Sequence, residues 1–319
     1  MIITVTLNAA IDRTLSVPNL RLGRRHRSIE QTTLPGGKGV NIARALKRLG
    51  RPVIATGFAG GPTGTRIVEA LTGESILNDF VRIAEESRTN MSVLDPTNGQ
   101  QTEINERGPN VTPQEVELFV DKLLYLAQGA RMCVFAGSLP HGVEPDLYAR
   151  LIRELHKMGV HSLIDSDGDP LQHAVRAGPE VVSPNAQEAE ELVDHEFNDD
   201  DDRILGVHKL AQMGAREAIM TVADGCFARV LESGSPAVYR VSIKPQEARA
   251  AVGSGDAFLA GYAAARYVGK EPLDCLKYGV ACGAESTQHF GAGVIEPHAV
   301  ERILADVETV KLELPVNTS

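Results

Sequence analysis

The stretch ARAAVGSGDAFLAGYAAARYVG, residues 248–269, sets Gly253, Ser254, Gly255 and one acid, Asp256, at the mouth of a long apolar helix. A helix start leaves backbone N–H groups without intrahelical partners, and the aligned peptide dipoles make that end partly positive. Glycine and serine let an incoming anion approach those N–H groups closely. An acid in the first turn is also an ordinary helix opener. Alone, the stretch reads first as a cap, with an anion or phosphate site as the alternative. The rest of the chain has to decide.

Strand-like and helix-like segments alternate along most of the sequence. IITVTL opens as a strand, and GVNIARALKRLG follows as a helix closed by Gly50. VIATGFAG, ARMCVFAG, VHSLID, EVVSPN and EAIMTVADG read as further strands. TGTRIVEALTG, PDLYARLIRELHKMG and AQEAEELVD read as helices between them, and two helical segments close the series at GDAFLAGYAAARYVG and PLDCLKYGVACGAESTQHF. Such alternation predicts a mainly parallel sheet covered by helices on both faces. Two polar, β-leaning segments break the rhythm, at about 13–34 and 89–102, and are expected to pair as a small second sheet. The acidic run NDDDDR (residues 198–203) reads as a solvated loop or helix start.

Bulk properties narrow the classes of function. A chain of 319 residues is long enough for one large α/β domain, and 43% hydrophobic with 23% charged residues is ordinary for a globular protein. The net charge of −10 argues against nucleic-acid binding driven by bulk charge, while leaving room for a local basic pocket around a phosphorylated small molecule. Four cysteines, Cys133, Cys226, Cys275 and Cys282, form no CxxC pair. They suggest buried thiols in a reducing compartment. With no basic segment before the first apolar run and no window of transmembrane length, a cytoplasmic location is expected, with no membrane partner.

PGGKGVNIARALKRLG (residues 35–50) places glycines and Lys38 directly before a helix, with Asn41 one turn inside. The glycines allow close approach to a ligand, Lys38 offers a cation, and Asn41 both donates and accepts hydrogen bonds. No Ser or Thr follows the lysine, so this is not a Walker A loop. A plain turn with a surface lysine fits GGKG alone as well as a ligand site does.

The combination is more specific. GGKG-x-N-x-A, followed at long range by G-S-G-D opening a helix, resembles the PfkB (ribokinase-like) carbohydrate kinase family. Between the two signatures lie AGSLPHGV, LIDSDGDPL, SPNAQEAEEL and TVADGCFARV, each similar to a family element, so the resemblance covers nearly the whole chain. TVTLNAAIDRT, ESRTN and TEINERGP look most like the branch acting on hexose monophosphates, which includes 1-phosphofructokinase and tagatose-6-phosphate kinase. The resemblance implies a ribokinase-like three-layer α/β domain spanning 1–319, with the two rhythm-breaking segments as a β lid. It also implies ATP and Mg²⁺ as cofactors, a phosphorylated ketohexose as substrate, and a homodimer through the lid.

Roles carry over by position. Asp256 corresponds to the catalytic base, and Gly253, Ser254 and Gly255 to an anion hole for the transferring phosphoryl group. Asp12, Gly37, Lys38 and Asn41 resemble sugar-binding residues. Arg88 and Ser138 resemble those holding the substrate's existing phosphate, with Lys38 as a helper, and Arg25 and Arg27, on the first lid strand, resemble basic residues that reach a phosphate, in some relatives from the neighbouring subunit. A solvated strand face is the plain alternative for those two arginines. Asn185 and Glu188 match an N-x-x-E element that organises Mg²⁺ largely through water, although SPNAQE is also ordinary helix-start chemistry. Thr221, Asp224 and Gly225 correspond to the nucleotide loop, and the resemblance puts Ser183 by the ATP phosphates and the segment from Cys282 to Gln288 near the adenine.

Three departures fall on donor handling. Ser183 stands where these kinases usually carry lysine, Ala250 and Ala251 replace a polar pair, and Ala9 replaces a proline. One missing cation in a dry phosphate pocket costs roughly 10²–10³ in rate. Lys244 is a candidate for compensation. The favoured reaction is phosphorylation of D-fructose 1-phosphate at its 6-hydroxyl. The alternatives are tagatose 6-phosphate or fructose 6-phosphate as acceptor, and a non-catalytic sugar-phosphate sensor.

Overall fold

Every residue of β1 (Ile2–Thr6) is buried, and its side chains divide between two cores. Ile2 joins one apolar cluster, whereas Ile3 and Val5 join the other. A strand with both faces covered has no solvent side, and Thr4 and Thr6 are buried along with the apolar residues. The computed structural model describes residues 1–244 and 252–313.

After β1 come β2 (Ala10–Ser16), β3 (Glu30–Gly36), α1 (Lys38–Arg48), β4 (Val53–Gly60), α2 (Gly61–Gly73), β5 (Leu77–Asn78), β6 (Val81–Ile83), β7 (Arg88–Asp95) and β8 (Gln100–Ile104). The chain then forms α3 (Pro113–Ala127), β9 (Met132–Ala136), α4 (Leu147–Lys157), β10 (His161–Asp165), α5 (Gly168–Arg176), β11 (Val181–Val182), α6 (Ala186–Val193), α7 (Asp200–Gln212) and β12 (Glu217–Val222). It closes with β13 (Gly225–Glu232), β14 (Ser235–Ser242), α8 (Ser254–Tyr267), α9 (Pro272–Ser286), α10 (Pro297–Ile303) and β15 (Glu308–Leu312).

The central sheet runs β15-β14-β13-β12-β11-β10-β9-β1-β4-β5, with β6 also on β4. Pairing is parallel from β5 through β12 and antiparallel from β12 to β15. Residues of α1, α2, α8, α9 and α10 pack with one face of this sheet, and residues of α3 to α7 with the other. This is the expected ribokinase-like layering. The chain first builds outward from β1 to β4, then returns to lay β9 on β1's other side. That reversal opens a crevice at the strands' carboxyl ends, the usual place for a ligand in such sheets.

The rhythm-breaking segments form a separate four-stranded sheet, β3-β2-β7-β8, in which β2 pairs antiparallel with β3 and parallel with β7. Its strands begin nearer the core than expected, at Ala10 and Arg88. Residues 17–29 belong to neither strand, so the expectation of Arg25 and Arg27 on a lid strand is corrected. Asn19 and Gly23 adopt positive φ there (54° and 74°), and the chain leaves extended geometry until Glu30. The acidic run is a helix start: Asp199 caps α7 by accepting from the Asp202 N–H at 3.0 Å.

Candidate active site

The strand ends converge on a cleft of about 1090 Å³. Thr6 and Asn8 border it from β1, Gly137 from β9, Asp165 from β10, Ser183 from β11 and Thr221 from β12. The second sheet walls it with Asp12 and Arg13 of β2, Arg88 and Asn90 of β7, and Gln101 and Glu103 of β8. The volume exceeds the usual few hundred Å³ of a single-ligand pocket, so two small molecules fit side by side.

Asp256 sits in the first turn of α8 and is only 6% exposed. Asn41, in α1, donates through Nδ2 to Asp256 Oδ2 at 2.8 Å. Burial pushes the carboxyl up to about 7; Asp165 adds to the shift, while Lys38 and the Asn41 bond oppose it. A carboxyl with that pKa in a cleft is suited to taking a proton near neutrality. The turn before it needs Gly253, whose φ is 82° and where a Cβ would come within 2.5 Å of Ala292 Cβ. Gly253, Ser254 and Gly255 all line the cleft, and the first-turn N–H groups lack intrahelical acceptors.

Lys38 reaches across the floor. Its Nζ lies 2.7 Å from Asp165 Oδ1 and 3.4 Å from Glu188 Oε1. Burial works against the ammonium charge, but the carboxylates of Asp165, Glu188 and Asp256 outweigh it and hold the group above its ordinary range. Burial also raises the Glu188 and Asp12 carboxyls, with Lys38 opposing in the first case and the Asn90 hydrogen bond (Nδ2 to Oδ1, 2.9 Å) in the second. Asp12 packs onto Gly36, where any Cβ would overlap its Oδ2 at 1.9 Å, so the first glycine of GGKG makes room for this carboxylate.

At the other end, Arg88 is held by two carbonyls, donating from Nε to Asn8 O (3.1 Å) and from a terminal nitrogen to Glu106 O (3.0 Å). Asn8 donates to Ser138 Oγ at 3.3 Å, and its own buried Oδ1 has no hydrogen-bond partner. That oxygen lies against Gly108, where a Cβ would come within 2.1 Å of it. At the end of β12 and the turn that follows, Thr221, Asp224 and Gly225 form the opposite rim with Lys244. Asp224 pairs with Arg240, and Gly225 (φ 146°) has no space for a Cβ against Val241 O.

Asn185 and Glu188 form a reciprocal capping box on α6, with Asn185 Oδ1 accepting from the Glu188 N–H and Glu188 Oε2 from the Asn185 N–H, both at 2.9 Å. The helix-start reading is thus realised, and the other Glu188 oxygen still faces Lys38. Among the described residues no group of three or more His, Cys, Asp or Glu could hold a metal alone.

Sixteen of the nineteen expected site residues therefore line one cleft. Arg25 and Arg27 are exposed and stand outside it. Cys282 is also corrected: it is fully buried, and its Sγ packs where a side chain on Gly261 of α8 would go, while its neighbours Gly283, Ala284 and Thr287 face the cleft. Ala250 and Ala251 lie outside the described residues. Asp165 and Asn8 were not singled out from sequence; an acid at the carboxyl end of a strand was the available signal for Asp165.

A buried carboxylate at a helix N-terminus, a lysine among carboxylates on the floor and room for two ligands at parallel strand ends suit phosphoryl transfer to a small hydroxylated molecule. The chain belongs to the pfkB family of carbohydrate kinases, whose model matches residues 4–299. It is 31% identical over 284 residues to a 1-phosphofructokinase of Borreliella burgdorferi, covering 89% of this chain and 90% of that one. It is 30% identical over 316 residues to a tagatose-6-phosphate kinase of Staphylococcus epidermidis, covering 98% and 100%. A solved structure described as a possible 1-phosphofructokinase from Thermotoga maritima superposes with a TM-score of 0.90 at 26% identity, covering 98% and 100%. The chain is accordingly a phosphotransferase with an alcohol group as acceptor. Among the described residues no helix is long and apolar enough to cross a membrane.

Proposed function

We propose that the chain transfers the γ-phosphoryl group of ATP to the 6-hydroxyl of D-fructose 1-phosphate, giving fructose 1,6-bisphosphate and ADP. The observation that carries the transfer step in this reading is Asp256, buried at the start of α8 with a pKa near neutrality and oriented by Asn41, while the choice of acceptor leans on the likeness to a 1-phosphofructokinase. Asp256 takes the hydroxyl proton as the sugar oxygen bonds to the γ-phosphorus, and the bond to the β-bridging oxygen breaks. Charge on the transferring oxygens falls against the N–H groups of Gly253, Ser254 and Gly255. Asp12 and Asn41 bind sugar hydroxyls. Arg88 and Ser138 hold the phosphate already present.

The donor lies over Thr221, Asp224 and Gly225, where Lys38 and Lys244 supply cations in the absence of a lysine at 183. Magnesium, when bound with the nucleotide, offsets phosphate charge. It prefers water and one or two carboxylates, and Asn185, Glu188 and Asp165 offer such a partial oxygen set. The whole chain acts as one kinase domain with the second sheet as its lid, and two copies pair through that sheet.

The likeness to a tagatose-6-phosphate kinase supports a second acceptor, tagatose 6-phosphate (or fructose 6-phosphate), phosphorylated at its 1-hydroxyl. A steady-state assay with Mg·ATP against fructose 1-phosphate, tagatose 6-phosphate, fructose 6-phosphate, fructose and ribose separates the two. The expected result is a preference for fructose 1-phosphate of tenfold or more, with kcat reduced at least ~10³-fold in Asp256→Asn. Preference for an unphosphorylated sugar, or near-normal turnover in the variant, overturns the reading.

A further inference from the structure

Arg44 lies one helical turn beyond Asn41 on α1 and is 2% exposed, although it is a permanently charged side chain. Its Nε donates to both carboxylate oxygens of Glu74 at the end of α2 (3.0 and 2.9 Å). Its terminal nitrogen donates to the carbonyl of Ala292 at 2.6 Å. Neither partner is needed to hold α1, whose inner face is already covered by Val40, Ile42, Ala43 and Leu46. Burying a guanidinium is costly, so its two specific contacts call for an account.

The account lies in what residues 291–293 touch. The methyl of Ala292 abuts Gly253, the αL residue that starts the Asp256 turn. Gly293 packs so closely on α1 that a Cβ there would meet Asn41 O at 3.0 Å and Arg44 at 3.1 Å. Gly291 lies against Leu34 of β3, where a Cβ would come within 2.5 Å of Leu34 Cδ1. The same loop is tied from α9: buried Glu285 pairs with His289 at 2.7 Å and accepts from the Glu296 N–H at 3.1 Å. The segment is thus wedged between the second sheet, α1 and the Asp256 turn, and Arg44 is its hydrogen-bonded anchor on the α1 side.

We infer that Arg44 is a positioning residue: by gripping the Ala292 carbonyl it seats residues 291–293 against Gly253 and so fixes the turn that carries Asp256 and the anion-hole N–H groups. The inference rests on the catalytic reading of that turn. Arg44 touches no reacting atom in this account. Its loss therefore acts on turnover and local order, not on sugar affinity.

The test compares Arg44→Met and Arg44→Lys with the unaltered chain. In Arg44→Met, kcat is expected to fall 10- to 100-fold with KM for the sugar phosphate within threefold. Deuterium uptake in peptides covering residues 252–260 is expected to rise, with peptides of the second sheet unchanged. Arg44→Lys, which can still reach one of the two partners, is expected to recover part of both effects. Unchanged kcat or unchanged uptake at 252–260 in a folded Arg44→Met overturns the inference. Absence of kinase activity in the unaltered chain sinks the catalytic reading instead, while the exchange comparison still decides Arg44. Should Arg44→Met fail to fold, Ala292→Gly removes only the methyl against Gly253. Lower kcat and faster exchange there support the inference, and unchanged values overturn it.

Discussion

Asp256 shows how one carboxyl is made into a base by its surroundings. Burial is the main reason its pKa stands near 7, and the two nearest charges on the floor pull in opposite directions, Asp165 upward and Lys38 downward. The base works ionised, so kcat/KM is expected to rise with pH through neutrality and level off above it. Removing each neighbour gives opposite signs. Lys38→Met takes away the cation that favours the carboxylate, so its inflection moves to higher pH, and activity at pH 7 falls roughly 10²-fold with the lost phosphate contact. Asp165→Asn takes away a repelling charge, so its inflection moves to lower pH. The check is the pH dependence of kcat/KM for the three proteins, and coincident profiles would show that Asp256 is not the titrating base.

Elements were readable where a repeated physical constraint acts, and obscure where only phase or register decides. The alternation of apolar strands and amphipathic helices exposed the layered fold, and small residues before an acid marked the start of α8. The phase of α9 was hidden because CLKYGVACGAES is small or apolar on most of its faces; only packing against Gly261 turns Cys282 inward and leaves Gly283 and Ala284 at the cleft. LIDSDGDP holds three acids in five residues, and register alone puts Asp165 on Lys38 while Asp167 starts a helix. The N-x-x-E pair is the instructive case, since a capping box and a metal element use the same two residues. These roles separate by substitution. Asn185→Ser keeps a good cap, whereas Asn185→Ala should cost about 1 kcal/mol of stability. If Asn185 also organises magnesium, both variants require several-fold more Mg²⁺ for half-maximal rate, read from a metal titration of initial rates beside a thermal melt. A raised requirement in Asn185→Ala alone, tracking its lost stability, would leave the residue a cap.

At the scale of the whole molecule, the second sheet stands apart from the layered core with both its edges uncovered by any strand of the described residues. β3 and β8 are open edges, and Leu22, Ile29 and Ile104 are 98%, 71% and 61% exposed. Unpaired edges beside exposed aliphatics are a liability that a lone soluble chain ordinarily avoids. Pairing of two such sheets about a twofold axis would cover both, since the same patch meets itself. It would also give a use to RLGRRHR (residues 21–27), which stands outside its own cleft with four arginines. Across such an axis, Arg25 and Arg27 would approach the phosphate of the partner's substrate. Light scattering at micromolar concentration is therefore expected to give twice the mass of one chain, and the pair Ile29→Glu with Ile104→Glu to give a single chain. The pair Arg25→Ala with Arg27→Ala should keep the double mass while raising KM for the sugar phosphate about tenfold, the loss of one charged contact to a phosphate. A fully active single chain would refute the pairing. A dimer whose KM ignores the arginine pair would leave the interface standing and return those side chains to solvent.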